Sequence, residues 1–352
     1  MKDLPELVAK HIFSKSLPLK KHSAVTVETW DSNEEIARAV ELEAKLLGHN
    51  VITVYNDTQA FLEYARSMPR NRKLSLGKHE TALLKNTDGY VFIPSPEMVY
   101  ASTSLERSQL SAATSYNMEW YRVASQARLK GIRIGAGYFN SDRAASVLGK
   151  SRKEIVDQLL TASLADPAVL RRRGTAVSRR IRTRGSLRIV SGGSELTVRA
   201  GREEELDDGR TDDDDVRKKI NMSSLPGGFY STDLKANAKG TLQCSSLFFE
   251  GRRAQGLEIE FSDGKVVSYS HGEWDDDLRK RFDEYVGKGK GVPLKYIGFG
   301  LNHLLQPGYG RDLNNAGVVS VWIGESLYAL LENPTVSSGG GEIVADGKLV
   351  LK

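Results

Sequence analysis

The chain has 352 residues, 39% hydrophobic and 27% charged, with a formal net charge of +5 and one cysteine. That length supports two domains with separate cores. No apolar run is long enough to cross a bilayer as a helix, the first residues lack a signal-peptide pattern, and the lone Cys244 excludes an internal disulfide. A cytoplasmic protein is the expectation.

The first half alternates helical and strand patterns. Leu4, Leu7, Val8, His11 and Ile12 have helical spacing, and 24–30 reads as a strand. Ser32 with Glu35 predicts a capping box opening a helix that ends near Gly48. Strand 51–55, helices 58–68 and 78–85, and strand 90–93 follow. A helix over 116–130 stops at Gly131, 132–138 reads as a strand, and helices 141–148 and 153–163 complete the series. Such alternation predicts a mainly parallel α/β sheet.

The pattern then changes. Segments 186–191 and 195–200 flank Gly192-Gly193, 256–261 and 265–270 flank Asp263-Gly264, and 343–345 and 349–351 flank Asp346-Gly347. These are hairpin signals, interrupted by one helix over 276–286. The expected organisation is an α/β domain over 1–184 and a β-rich domain over 185–352.

Charge is uneven. Residues 171–188 hold eight arginines and no acid, and 203–215 hold nine acids. No aromatic residue interleaves the arginines to stack bases, which disfavours nucleic acid as a partner. Whether the two segments pair is not legible from sequence. Asp212–Asp215 lacks the spacing of a calcium loop and reads as a solvated loop. Gly135-Ala136-Gly137 lacks a third glycine opening a helix and reads as a tight turn. Cys244 sits in an apolar strand without a neighbouring base, as a structural thiol does. His271, Glu273 and Asp275 form the one local His/carboxylate cluster, which reads as the acidic start of the following helix.

The run from Asn221 to Ser231, containing Pro226-Gly227-Gly228-Phe229, resembles the Asn…Pro-Gly-Gly-Glu-Val-Phe signature of the aminopeptidase T and aminopeptidase S metallopeptidase family. Gly240-Thr241-Leu242, the 256–267 hairpin, Gly298-Phe299-Gly300-Leu301-Asn302 and the Asn333-Pro334-Thr335…Asp346-Gly347 hairpin follow in that family's order. The resemblance implies an aminopeptidase T-like fold, a homodimer and a pair of zinc or cobalt ions held by two glutamates, two histidines and an aspartate. Matched position by position, those ligands fall on Phe229, Tyr296, Ser320 and near Ser326 and Tyr328, none of which keeps the ligand chemistry. A related non-haem iron dioxygenase that opens dihydroxypyridine rings shares the fold and needs the same missing histidine positions.

The expectation is therefore a pseudoenzyme without metal or other cofactor, binding a peptide or small ligand through Phe229, Tyr230, Tyr296, Asn302, Ser320, Trp322, Ser326 and Tyr328. The alternative is a divergent aminopeptidase, either metal-free or with a zinc-type site rebuilt from His271, Glu273, Asp275 and His303.

Overall fold

Apolar strand runs separated by amphipathic helices build a parallel sheet from the first part of the chain. The computed structural model describes residues 3–67, 75–97, 107–183, 185–249, 252–287, 291–325, 327–339 and 341–351. In order come α1 (Leu4–His11), β1 (Ala24–Trp30), α2 (Glu34–Leu46), β2 (Asn50–Asn56), α3 (Thr58–Ser67), α4 (Lys78–Lys85) and β3 (Gly89–Ile93). Next are α5 (Arg107–Ala127), β4 (Lys130–Ile134), α6 (Asp142–Leu148), α7 (Arg152–Ala162) and α8 (Pro167–Arg182). Strands β5 (Ser186–Ser191) and β6 (Ser194–Asp207), helix α9 (Asp213–Arg217) and strand β7 (Met222–Leu225) follow. The parallel sheet has the order β2-β1-β3-β4-β7. Val25, Val27, Val91, Ile132 and Ile134 on one of its faces are at most 2% exposed and share a core with Ile36 and Ala37 of α2 and Ile155 and Leu159 of α7.

The rest of the chain is antiparallel: β8 (Phe229–Leu234), β9 (Lys239–Phe249), β10 (Arg252–Ser262), β11 (Lys265–His271), α10 (Asp276–Val286), β12 (Leu294–Gly300), β13 (Val319–Ile323), β14 (Leu327–Leu331), β15 (Thr335–Ser338), β16 (Gly341–Ala345) and β17 (Lys348–Leu349). With β5 and β6 these form one sheet of order β11-β10-β9-β14-β13-β12-β8-β6-β5-β15-β16-β17. A further pairing of β6 with β9 closes its central strands into a ring.

The chain falls into two compact units, 1–167 with 209–227 and 304–310, and 168–208 with 228–303 and 311–352. It passes between them repeatedly rather than once near residue 184, which itself lies outside the described residues. The cause is β7, which returns to pair with β4 after β5 and β6 have joined the other sheet.

Several local expectations change. Ser32 does not cap α2: its φ of 66° takes it out of the extended conformation an N-cap needs, and Asn33 takes the position, its side chain donating to the carbonyls of Asp31 and Pro94. Residues 135–139 form a 3₁₀ turn rather than the end of a strand. Gly137 is required there, because a Cβ would stand 2.8 Å from the Pro94 carbonyl. The acidic run is not a loop. Asp212 accepts from the Asp214 and Asp215 amides and Asp215 reciprocates, starting α9 with a capping box.

The arginine-rich segment is helix α8. Its cations meet acids of the neighbouring segment: Arg171 with Asp208 at 2.6 Å and Arg182 in a forked pair with Glu204 at 2.8 Å. Arg173 donates to the Leu301 carbonyl, and Arg180 to those of Glu342 and Val350. Exposed pairs of this kind add little stability individually, yet they turn these guanidinium forks onto the protein itself. Among the described residues, no helix is long and apolar enough to cross a membrane.

Candidate functional site

The Gly227-Gly228 turn sets the start of β8. Gly228 has φ of 102°, and a Cβ there would lie 2.8 Å from the Asn302 backbone nitrogen. Only glycine satisfies both constraints. The Gly228 amide donates to Asp207 and its carbonyl accepts from Leu301, so β8 is locked between the ends of β6 and β12. Asn302 is fully buried at this junction, its amide donating to the Asn314 carbonyl at 2.8 Å and its carbonyl accepting from Ala316 at 3.0 Å.

From that start, side chains alternate between the faces of the sheet. Ile297, Phe299, Val319, Val321, Leu327 and Ala329 fall on one face and are fully buried. The other face carries a row fixed by register: Tyr296 beside Trp322, Trp322 beside Tyr328, Tyr328 beside Phe248, and Phe248 beside Arg253. The rings interact along it. Tyr328 and Phe248 stack at 4.7 Å, Trp322 and Tyr328 tilt together at 5.5 Å, and the Arg253 guanidinium lies 5.4 Å from the Phe248 ring centre. Asp233, opposite Tyr296, ends the row on the other side. A row over six strands covers about 24 Å at ~4.8 Å per strand.

Beside this ridge runs a line of small residues, Ser231, Gly298 and Ser320. The Phe229 ring reaches across it. A Cβ on Gly298 would stand 2.4 Å from Phe229 Cζ and 2.8 Å from Ser320 Oγ, so the glycine makes room for the ring. Phe229 then meets Trp322 edge to face at 5.5 Å. Ser320 is 1% exposed and its hydroxyl has no hydrogen-bond partner, a state that costs free energy unless a ligand or water completes it. Burial pushes the Tyr328 phenol up to about 12, with Arg311 lowering it and Asp312 raising it.

The fold thus brings together Phe229, Tyr296, Ser320, Trp322 and Tyr328 on one face. Tyr230 stands on the opposite face, buried against Phe299, beside Leu206, which α8 covers through Gly174. Its phenol is raised by burial and then by Glu204. Tyr230 directly follows Phe229, and the strand period of two sends them to opposite faces. Ser326 lies outside the described residues. Phe248 and Arg253 were missed by sequence reasoning; alternation along 247–249 was the available signal, and nothing local tied it to residue 328.

The alternative metal set is not assembled. Asp275 caps α10 by accepting from the Leu278 amide and pairs with Arg252. His271 stacks on Trp274 at 5.0 Å with Nδ1 against the Gly272 carbonyl, Glu273 is exposed, and exposed His303 is lowered by burial and by Arg173. Among the described residues, no three His, Cys, Asp or Glu side chains form a group able to hold a metal ion. The face that the resemblance assigns to metal offers a phenyl ring, two phenols and a hydroxyl, a donor set that does not fit a divalent pair. Cys244 is 1% exposed, its thiol pushed up to about 12 by burial, which leaves it without thiolate character.

No family model matches the chain. No curated protein matches it either. Two solved structures share its architecture over nearly its whole length. Wild-type AmpT from Thermus thermophilus aligns with a TM-score of 0.65 at 12% identity, covering 99% of this chain and 99% of its own. The 2,5-dihydroxypyridine dioxygenase from Pseudomonas putida KT2440 aligns with a TM-score of 0.63 at 14% identity, covering 99% of this chain and 97% of its own. At such identities the likeness shows the fold alone: a parallel α/β sheet and a large antiparallel sheet, each described above, that match AmpT structurally.

Proposed function

We propose that this aminopeptidase-like fold carries a degenerate metal site and binds a peptide or small ligand without hydrolysing it. One observation carries the reading: the Phe229 ring lies across Gly298 against the Ser320 hydroxyl, where the resemblance assigns a carboxylate and an imidazole. A divalent cation needs several deprotonated ligands to offset its dehydration, and phenyl, phenol and hydroxyl groups supply none at neutral pH. Without such an ion, no water or carbonyl is activated at that place. The face offers aromatic surface with hydroxyls to orient what it holds, which suits an apolar side chain or a flat small molecule.

The test is metal analysis of the purified full-length chain, together with aminoacyl fluorogenic substrates assayed with and without added zinc or cobalt. The expected result is no stoichiometric metal and no turnover. A stoichiometric pair of tightly bound ions, or metal-dependent hydrolysis, overturns the reading in favour of a divergent aminopeptidase with a rebuilt site.

A further inference from the structure

The parallel sheet of the first unit carries a second row that the reading above does not use. Register sets Glu28 of β1 beside Phe92 of β3, and Phe92 beside Arg133 of β4, all on the face opposite Val27, Val91 and Ile132. The two faces are treated differently. Val27, Val91 and Ile132 are fully buried, while Glu28, Phe92 and Arg133 each keep part of their surface exposed.

The row lies near the carboxyl ends of its strands, at the point where strand order reverses: β2 flanks β1 on one side and β3 on the other. The helices diverge there too. Ile36 and Ala37 of α2 join the core under one face, and Leu84 of α4 and Val123 and Ala124 of α5 join a separate core on the other. In open parallel sheets such a divergence leaves a crevice at the carboxyl ends of the strands, where ligands bind.

Among the described residues, the two charges in the row are unmatched. Glu28 accepts from Trp30 Nε1 at 3.1 Å and Asn56 Nδ2 at 2.8 Å through Oε1, and from the Tyr90 hydroxyl through Oε2. A carboxylate has about four acceptor positions, which leaves one on Oε2, and among the described residues no cation pairs with it. Arg133 donates to the Tyr121 hydroxyl at 3.0 Å and lies 5.8 Å from the Phe92 ring centre, while its Nε is buried without a hydrogen-bond partner. Among the described residues no carboxylate pairs with it. Two opposite charges, two strands and about 10 Å of backbone apart, each partly desolvated and lacking a counter-ion among the described residues, are costly as they stand. A molecule carrying both complementary charges would offset both costs.

The geometry points to a binding site for a small dipolar molecule, its protonated amine at Glu28, its carboxylate at Arg133 and a flat or apolar body across Phe92. The site is independent of the one on the antiparallel sheet. Trp30, edge to face with Phe61 at 5.8 Å, and Trp120, edge to face with Tyr121 at 5.1 Å, provide its aromatic surroundings.

Isothermal titration of the full chain with para-aminomethylbenzoate, benzylamine and benzoate tests it. Saturable binding of the dipolar probe is expected, stronger than that of either single-charge probe. Glu28→Gln should weaken para-aminomethylbenzoate and benzylamine by about tenfold or more and leave benzoate unchanged. Arg133→Gln, at a half-exposed position, should weaken para-aminomethylbenzoate and benzoate and spare benzylamine, with partial recovery in Arg133→Lys. Absence of saturation in the millimolar range overturns the site. So does an equal loss for all three probes in Arg133→Gln, whether or not Glu28→Gln folds.

Discussion

Strands β8, β12, β13 and β14 each present two faces, and the two have little in common. One bears Ile297, Phe299, Val319, Val321, Leu327 and Ala329, all without exposed surface. The other bears Phe229, Tyr296, Trp322 and Tyr328, all half-buried, with the Trp322 ring meeting those of Phe229 and Tyr328, beside Ser320, whose hydroxyl has no hydrogen-bond partner. The same backbone therefore divides its residues by parity into a set that holds the fold and a set that keeps part of its surface exposed. Apolar aliphatic burial stabilises in proportion to area removed from water. An aromatic ridge that stays half-exposed retains surface to give to a ligand.

Mutation can break this division. Phe299→Ala, on the closed face, should cost about 4 kcal/mol in chemical denaturation. Phe248→Ala, on the open face, should cost about 1 to 2 kcal/mol for half a burial and one stacked pair. Equal losses would show that the ridge is as much a core as its opposite face. Between these falls the junction that sets the parity. Gly228→Ala places a side chain at φ of 102° against Asn302 and should cost about 3 kcal/mol, measured as a shift in the denaturation midpoint at unchanged slope.

The smallest effect concerns Tyr328, whose phenol burial pushes up to about 12, above its ordinary value of about 10. Folding holds that proton more tightly than the unfolded chain does. Its contribution is complete below about pH 10 and is lost as pH rises towards 12. Between pH 10 and 11 the parent should lose about 1 kcal/mol more than Tyr328→Phe. Parallel pH curves for the two proteins would mean that Tyr328 is freely solvated, and the open face more open than its rings indicate.

Much of this architecture is legible in the amino-acid order. The α/β alternation, the Asp263-Gly264 and Asp346-Gly347 hairpins with both turn residues at positive φ, and helix α10 lie where local patterns put them. Helix α8 was hidden, because its buried Leu170, Val177 and Ile181 are scattered among arginines and around Gly174. The glycine looks like a breaker until Leu206 is seen against it. Of the candidate site, residues 320 and 322 could be placed on one face by parity within their strand, and Tyr328 joins them only through the register of β13 with β14. Tyr230 could not be separated from Phe229 without knowing where β8 begins.

By itself, the sequence determined the alternation of elements and the turns, because these depend on residue type and spacing over a few neighbours. Tertiary structure alone decided which distant strands lie side by side. It placed Phe248 against Tyr328, Phe229 over Gly298, and Glu28 in a row with Arg133. Backbone hydrogen bonding fixes register between strands far apart in sequence, and no local propensity encodes that pairing.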